Sequence, residues 1–336
     1  ASYIDSAGQA QAGTLADAIQ NAEAGTTVTL NRNVTLTDGI TVGKDIVLNL
    51  NNFNITRETG TGAMFAVTGG SLEVTGTGTI ESKEGDVFSV KGNTSADHTA
   101  ATEAALKIGA DVTVKALWNC IWIAGNGAQA DIYGSLTSTG PYAVIQGNGT
   151  VNATTNNGGT VVNIYEGASV IHEGDDGNAH MAIYQPQAGV LNITGGTISA
   201  TQEGSTAIEI RAGELNISGN PVITGGNGTP ESDPNGNGST TSNAAVAISQ
   251  HTTDQPIQVN ITGGTLNGGA AVYESNPQNN TEEEDGSNAV TVSIADANLN
   301  GALTSSGFGD VSVNHTTING DVTKSGNGNM GIVNST

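Results

Sequence analysis

Acidic and histidine side chains that could catalyse hydrolysis lie close together at one place in the sequence. Asp175 and Asp176 are adjacent, with His172 before them and His180 after them. Glycoside hydrolysis uses two carboxylates about 5 to 9.5 Å apart, and nearby histidines can transfer protons. Residues 173–178 also have the composition of an ordinary polar turn. These four side chains are therefore weak catalytic candidates, and we expect no complete active site.

A second acidic cluster lies in a polar insertion and consists of Glu282, Glu283, Glu284 and Asp285. Carboxylate oxygens are ligands that calcium prefers, so calcium is the ion that this loop would take. The spacing follows neither an EF-hand loop nor the glycine-rich calcium nonapeptides. A solvated acidic loop is the simpler explanation, and the five histidines lack zinc-ligand spacing. We therefore predict no cofactor, with calcium as the alternative.

Aromatic side chains are few, namely four Phe, two Trp and six Tyr, so their placement is informative. Strand alternation places a set of side chains on the outer face of short apolar runs: Trp118, Trp122, Tyr184, Glu209 and Tyr273. Flat rings beside polar groups can stack on sugar rings. We take this set as the candidate ligand-binding residues. The alternative is that inserted loops fold over the face and bury them.

The charge balance excludes several partners. The formal net charge is −23 with only nine Lys and Arg, so nucleic acid and anionic membrane surfaces are repelled. No apolar run reaches about 18 residues, so membrane insertion is not expected. The lone cysteine, Cys120, lies in an apolar stretch and predicts a buried thiol.

One sequence motif recurs along the chain, with copies beginning at residues 182, 207, 245 and 271. Each copy holds three short alternating runs, termed a, b and c, separated by Gly or Asn. In run b the inward side chains are Leu191, Ile193, Leu215, Ile217, Val259 and Ile261, while Asn192, Asn216 and Asn260 point outward. The repeat predicts an all-β fold, a right-handed single-stranded parallel β-helix of about ten coils.

The N-terminal segment predicts a helical cap. Thr14 is a good N-cap, Gly25 ends the pattern, and apolar residues recur at helical spacing within residues 15–24. We expect one domain over residues 1–336. Its parts are a cap (1–25), the coils (26–325) and a C-terminal end (326–336) that continues in a longer native chain or is covered by another domain or subunit.

Four insertions fall at one corner, after run a and before run b: residues 92–103, 147–159, 250–256 and 276–288. In a solenoid, loops at one corner align along one edge, which is often the binding face. The alternative is that this corner merely tolerates extra length.

Several short sequence motifs resemble those of a known family: TLADAI at residues 14–19, GTTVTL at 25–30, NVTL at 33–36, IVLNLN at 46–51 and the recurring GGTI turns. The chain resembles pectin-lyase-like β-helix modules of bacterial cell-surface, adhesin-like proteins and of some phage structural proteins. Enzymes of that group use motifs that are missing here, namely Arg-x-Pro-x-x-Arg, Gly-His-Gly and Arg-x-Lys. The resemblance therefore implies the fold more strongly than an activity.

Three functions follow in order of preference. The first is a non-catalytic extracellular or cell-surface adhesion module that presents a loop-lined edge to a glycan or a surface protein. The second is a virion structural protein, such as a phage head, tail-fibre or decoration protein, which would form a homotrimer. The third is a polysaccharide lyase or glycoside hydrolase.

Overall fold

The computed structural model describes residues 1–174, 180–233 and 240–336, and it consists almost entirely of β-strands. Within these ranges the only helix is Leu15–Asn21. No helix in the described part of the chain is long and apolar enough to cross a membrane. The prediction of an all-β fold is therefore confirmed.

Most strands pair in parallel with strands of the preceding and following repeats, and they form three ladders that correspond to runs a, b and c. Ladder b contains Thr26–Thr29, Ile46–Asn49, Gly70–Thr75, Ala104–Ile108, Ala128–Ile132, Thr160–Ile164, Gly189–Ile193, Val290–Ala295, Asp310–Asn314 and Met330–Val333. Ladder c contains Val34–Thr35, Ile55–Arg57, Gly78–Ser82, Val112–Ala116, Ser135–Ser138, Ser169–His172, Thr197–Ala200 and Thr317–Ile318.

Ladder a contains Ile40–Val42, Phe65–Val67, Phe88–Lys91, Ile121–Ala124, Ile145–Gln146, Met181–Gln185, Thr206–Ile210, Ala244–Ser249 and Val322–Lys324. Three long strands turn corners and belong to more than one ladder: Gly213–Thr224, Ile257–Ser275 and Asn298–Ser305. This long, mostly parallel sheet is consistent with the predicted β-helix.

The core is the stacked inner rows of the ladders. Each of the six inward residues predicted in run b is at most 1 % exposed. They stack in register, Leu191 on Leu215 and Ile193 on Ile217, with the next repeat continuing both rows. Apolar side chains are thereby removed from water by neighbouring repeats, as a solenoid requires.

The outward asparagines of ladder b form a ladder of their own. The Nδ2 atom of Asn192 donates to Oδ1 of Asn163 at 2.8 Å, Asn216 donates to Asn192 at 3.0 Å, and Asn260 donates to Asn216 at 2.9 Å. The series ends where Asn163 donates to Asp131 at 2.7 Å. Each side-chain amide thus provides a hydrogen-bond partner for the next one, and all the donors point towards the Asp131 carboxylate.

The helix begins as predicted and ends earlier. The Thr14 hydroxyl accepts from the Asp17 backbone N–H at 3.1 Å. The helix stops at Asn21 rather than Ala24, and Lys44 Nζ donates to the Gln20 carbonyl at 2.7 Å beside this end. A cation at the C-terminal end satisfies carbonyls left without a helical partner.

Two strands precede the helix and are not expected from the sequence. Ser2–Ile4 and Ala10–Ala12 pair as an antiparallel hairpin, and Ser2 pairs antiparallel with Thr29 of ladder b. Both strands are largely exposed and lack a clear apolar alternation, which explains why the pattern does not reveal them.

Replacing Ile217 with Asp should unfold the chain or lower its unfolding free energy by several kcal/mol, because an unpaired carboxylate would be buried in the stacked row. Ile217→Val is the control and should cost about 1 kcal/mol. Denaturant unfolding followed by circular dichroism measures both. Similar midpoints for Ile217→Asp and wild type would contradict the inward register.

Candidate functional site

The four predicted insertions lie in two contacting pairs, residues 92–103 with 147–159 and residues 250–256 with 276–288. In the first pair the Asn156 backbone N–H donates to the Thr94 carbonyl at 3.0 Å. In the second pair Asn288 Nδ2 donates to the Asp254 carboxylate at 2.9 Å. The insertions therefore contact one another across repeats and do not project separately into solvent.

A cleft of about 690 Å³ lies between the two pairs. It is lined by Gln146, Met181 and Tyr184 of ladder a, by loop residues 147–151 and 251–253, and by residues 141–143, His180 and Pro186. The volume falls within the range of about 300–1,000 Å³ that is usual for small-molecule sites. One loop of each pair therefore supplies a wall, and ladder a supplies the floor.

Gly149 lets the two walls come close together. A Cβ atom at this position would lie 2.8 Å from the Pro186 carbonyl oxygen and 3.4 Å from Cε1 of His251. The first distance is shorter than real Cβ contacts allow, so a side chain here would push the wall outward. The width of the cleft thus depends on the absence of a side chain at residue 149.

The floor belongs to an outward row that the sequence predicts in part. Along ladder a, Trp122 pairs with Gln146, Gln146 with Tyr184, and Tyr184 with Glu209. Neighbouring rungs are about 4.8 Å apart. Tyr184 lines the cleft, and half-buried Trp122 lies one rung beyond Gln146. The predicted register is therefore correct along this row.

The rim carries exposed apolar surface. Tyr142 is 42 % exposed and Val151 is 44 % exposed, and both line the cleft. The ring of Trp118 meets the Tyr142 ring edge-on, with centroids 5.4 Å apart and planes at 73°. Trp118 therefore does not line the cleft itself but packs against Tyr142, which does. Sequence reasoning misses Tyr142, because strand alternation says nothing about a loop residue.

The expected open face is closed at Glu209. Thr240, which precedes the strand Ala244–Ser249, donates to Glu209 from its backbone N–H at 3.2 Å and from its hydroxyl at 3.1 Å. Glu209 is fully buried and Tyr184 is 7 % exposed. A residue that points away from the core is therefore not always exposed, since a loop of another corner can cover it.

The remaining predicted aromatic residue is remote from the cleft. Tyr273 is half-buried and packs against a small alanine cluster formed by Ala244, Ala247 and Ala270. It lies in the outward row of ladder a, three rungs from Tyr184. The aromatic set predicted from the sequence is therefore divided between the cleft and a separate packing site.

His251 is an uncharged wall of the cleft. Its Nδ1 atom accepts from the Thr253 backbone N–H at 3.2 Å, which places the proton of the neutral ring on Nε2. Burial, followed by the positive charge of Arg211, lowers the pKa of His251 to about 4. The ring is therefore neutral near pH 7 and offers a donor.

Two of the four catalytic candidates, His172 and His180, lie in the described part of the chain. The rings of His172 and His180 stack with centroids 4.2 Å apart, and His180 lines the cleft. His172 Nδ1 accepts from the Gly174 N–H at 3.1 Å, and its Nε2 donates to the Gly140 carbonyl at 2.8 Å. His172 is thus held within a hydrogen-bonded turn.

Asp175 and Asp176 lie outside the described residues. Their catalytic role stays a prediction.

The acidic loop is solvated. Glu282, Glu283, Glu284 and Asp285 are all exposed, and the Ser287 backbone N–H donates to Asp285 at 2.9 Å. This hydrogen bond lowers the pKa of Asp285. Across the described ranges, no group of three or more His, Cys, Asp or Glu side chains is placed to hold a metal ion. Calcium binding at this loop stays a prediction.

The thiol of Cys120 is buried, as the sequence predicts, and it donates to the Thr137 carbonyl at 3.2 Å. Burial raises the pKa of this thiol. The side chain therefore packs as a small apolar group.

No family model, curated protein or solved structure matches this chain. The resemblance to pectin-lyase-like modules thus depends on the short sequence motifs and the parallel ladders alone.

The folded state should lose stability as the pH falls from about 6.5 to 4. In this window the unfolded chain protonates His251 while the folded chain does not, because the folded pKa is lowered. His251→Asn keeps an acceptor near Nδ1 and should remove about 1–2 kcal/mol of the loss at pH 4.5, a value reduced for solvent screening.

Chemical denaturation at pH 7.5 and pH 4.5 measures this effect, and the pH 7.5 value of each protein is its own reference. Equal losses in wild type and His251→Asn would show that this ring does not carry the pH dependence.

Proposed function

We propose that this chain is a non-catalytic extracellular or cell-surface adhesion module that binds a glycan in the cleft between the two loop pairs. The observation that supports this proposal is the combination of an exposed aromatic rim with an amide- and hydroxyl-rich floor and walls. Sugar rings present an apolar C–H face and a border of hydroxyls, so they need both kinds of contact.

The shape of the cleft favours a glycan over a protein partner. A stable protein interface covers about 800 Å² on each side and is centred on packed apolar anchors. Here the apolar groups, Tyr142 and Val151, stand at the rim of a concave space. A chain of sugar units can enter such a space and contact both walls, whereas a flat protein surface would touch only the rim.

The finer features of the architecture belong to the same proposal. We propose a right-handed β-helix of about ten coils that forms one domain over residues 1–336, with residues 1–25 as the N-terminal cap. The buried side of the helix, Leu15, Ala18 and Ile19, supports the capping role, since it removes apolar surface at the first repeat from water.

Tyr142→Ala should weaken binding of a responsive glycan about tenfold or more, a loss of about 1.4 kcal/mol, because the exposed ring is the stacking surface. Glycan-array screening followed by titration calorimetry measures the change. Trp122→Ala should have a smaller effect, since this ring is one rung beyond the floor.

Tyr133→Ala is the matched control, because Tyr133 stacks on Tyr165 and is not among the lining residues. Its affinity should equal that of wild type. An unchanged affinity of Tyr142→Ala, or no glycan bound at millimolar concentration, would refute the proposed site.

Removal of residues 1–24 should cause aggregation, because it exposes the edge of the strand Thr26–Thr29 together with the apolar surface under the helix. Light scattering and size-exclusion chromatography detect this outcome. Thr14→Ala is a milder control that should only weaken the helix, by about 1 kcal/mol. A truncated chain that stays monomeric with an unchanged melting temperature would show that the segment is not a cap.

A further inference from the structure

The cleft contains no fixed positive charge. All nine Lys and Arg side chains of the chain lie in the described residues, and none of them lines the cleft. The positive charge behind His251 belongs to Arg211, which is fully buried. Its Nη2 atom donates to the Gln250 carbonyl at 3.2 Å, and its Nε atom lies 3.9 Å from the Glu209 carboxylate. This charge is therefore directed into the protein.

Apart from two histidines, the polar side chains among the described lining residues are amides and hydroxyls, which can both donate and accept hydrogen bonds. They include the amides of Gln146 and Asn148 and the hydroxyls of Thr150, Thr252 and Thr253. Amides and hydroxyls match sugar hydroxyls, which also do both. None of the described lining residues is Asp or Glu, so a cationic ligand finds no counter-charge among them.

An anionic sugar would lose hydration on entering the cleft, and no Lys or Arg side chain lines the cleft to offset this loss. A carboxylate or sulfate group that leaves water needs an ion pair or several charge-assisted hydrogen bonds to offset its desolvation. The net charge of −23 adds a repulsive field around the whole molecule. A neutral sugar ring meets neither cost, and it can stack on Tyr142, which is 42 % exposed.

We infer that the cleft binds uncharged saccharides and discriminates against uronate-containing and sulfated ones. This inference rests on the proposed glycan-binding function and adds the charge class of the ligand. His251 is compatible with this inference, since its neutral ring can donate to a sugar hydroxyl without attracting an anion.

The experiment uses the full chain and a panel of soluble polysaccharides. Glucan, mannan, galactan and xylan represent the neutral class, and polygalacturonate and a sulfated glycosaminoglycan represent the anionic class. Affinity electrophoresis ranks them and calorimetry measures the dissociation constants. We expect at least one neutral polysaccharide to bind, with a tenfold or greater loss in Tyr142→Ala, and no anionic one to bind.

A charge placed on the floor should reverse this preference. Gln146→Lys should lose at least tenfold in affinity for the neutral ligand and gain measurable binding of polygalacturonate. Thr304→Lys makes the same change in net charge on a ladder a position outside the lining residues, and it should behave as wild type.

Two results would overturn the inference, and they differ in meaning. If wild type binds an anionic polysaccharide and Tyr142→Ala abolishes that binding, the cleft is a glycan site with the wrong charge class. If no polysaccharide of either class binds, the proposed glycan-binding function fails together with the inference.

Discussion

Parallel pairing in strict register is the constraint on which the rest of the molecule depends. No repeat can bury its own apolar row, so Leu191 and Ile193 are covered because neighbouring repeats stack on both sides of them. A slip of one residue would exchange the inner and outer faces of a strand. The outer amide ladder, in which Asn216 donates to Asn192 at 3.0 Å, prevents such a slip, because a shifted asparagine would be buried without its partner.

The buried carboxylate of Glu209 marks the edge of the solvent-accessible part of ladder a. Glu209 is fully buried, and a carboxylate in this position is costly unless it accepts several hydrogen bonds. Thr240 supplies them, and Arg211 stands 3.9 Å away. These hydrogen bonds join Thr240, which precedes the strand Ala244–Ser249, to the outer face of ladder a. The opening is thereby limited to the rungs of Gln146 and Tyr184, where the cleft lies.

Much of the fold follows from local patterns, and the site follows only in part. Alternation predicts the inner row and the outward direction of Tyr184, because both depend on strand geometry alone. It does not predict that Glu209 is covered, since that depends on a loop from another corner. Tyr142 is missed because a loop has no periodicity, and the hairpin Ser2–Ile4 with Ala10–Ala12 is missed because its strands are short and exposed. The corner shared by the insertions is recognisable from sequence, whereas their pairing requires the three-dimensional stacking of repeats.

The pairing of insertions explains how long loops can form a defined cleft without a core of their own. Asn288 is fully buried and joins both loops of its pair. Its Nδ2 atom donates to the Asp254 carboxylate at 2.9 Å and to the Thr281 carbonyl at 2.7 Å, and its Oδ1 atom accepts from the Glu283 backbone N–H at 2.9 Å. Loops ordered in this way lose less conformational freedom when a ligand arrives, so less of the binding free energy is spent on ordering them. The repeats between the two pairs make only short turns near Pro186, and the gap that they leave is the cleft. The site is therefore a consequence of where insertions are absent as much as of where they occur.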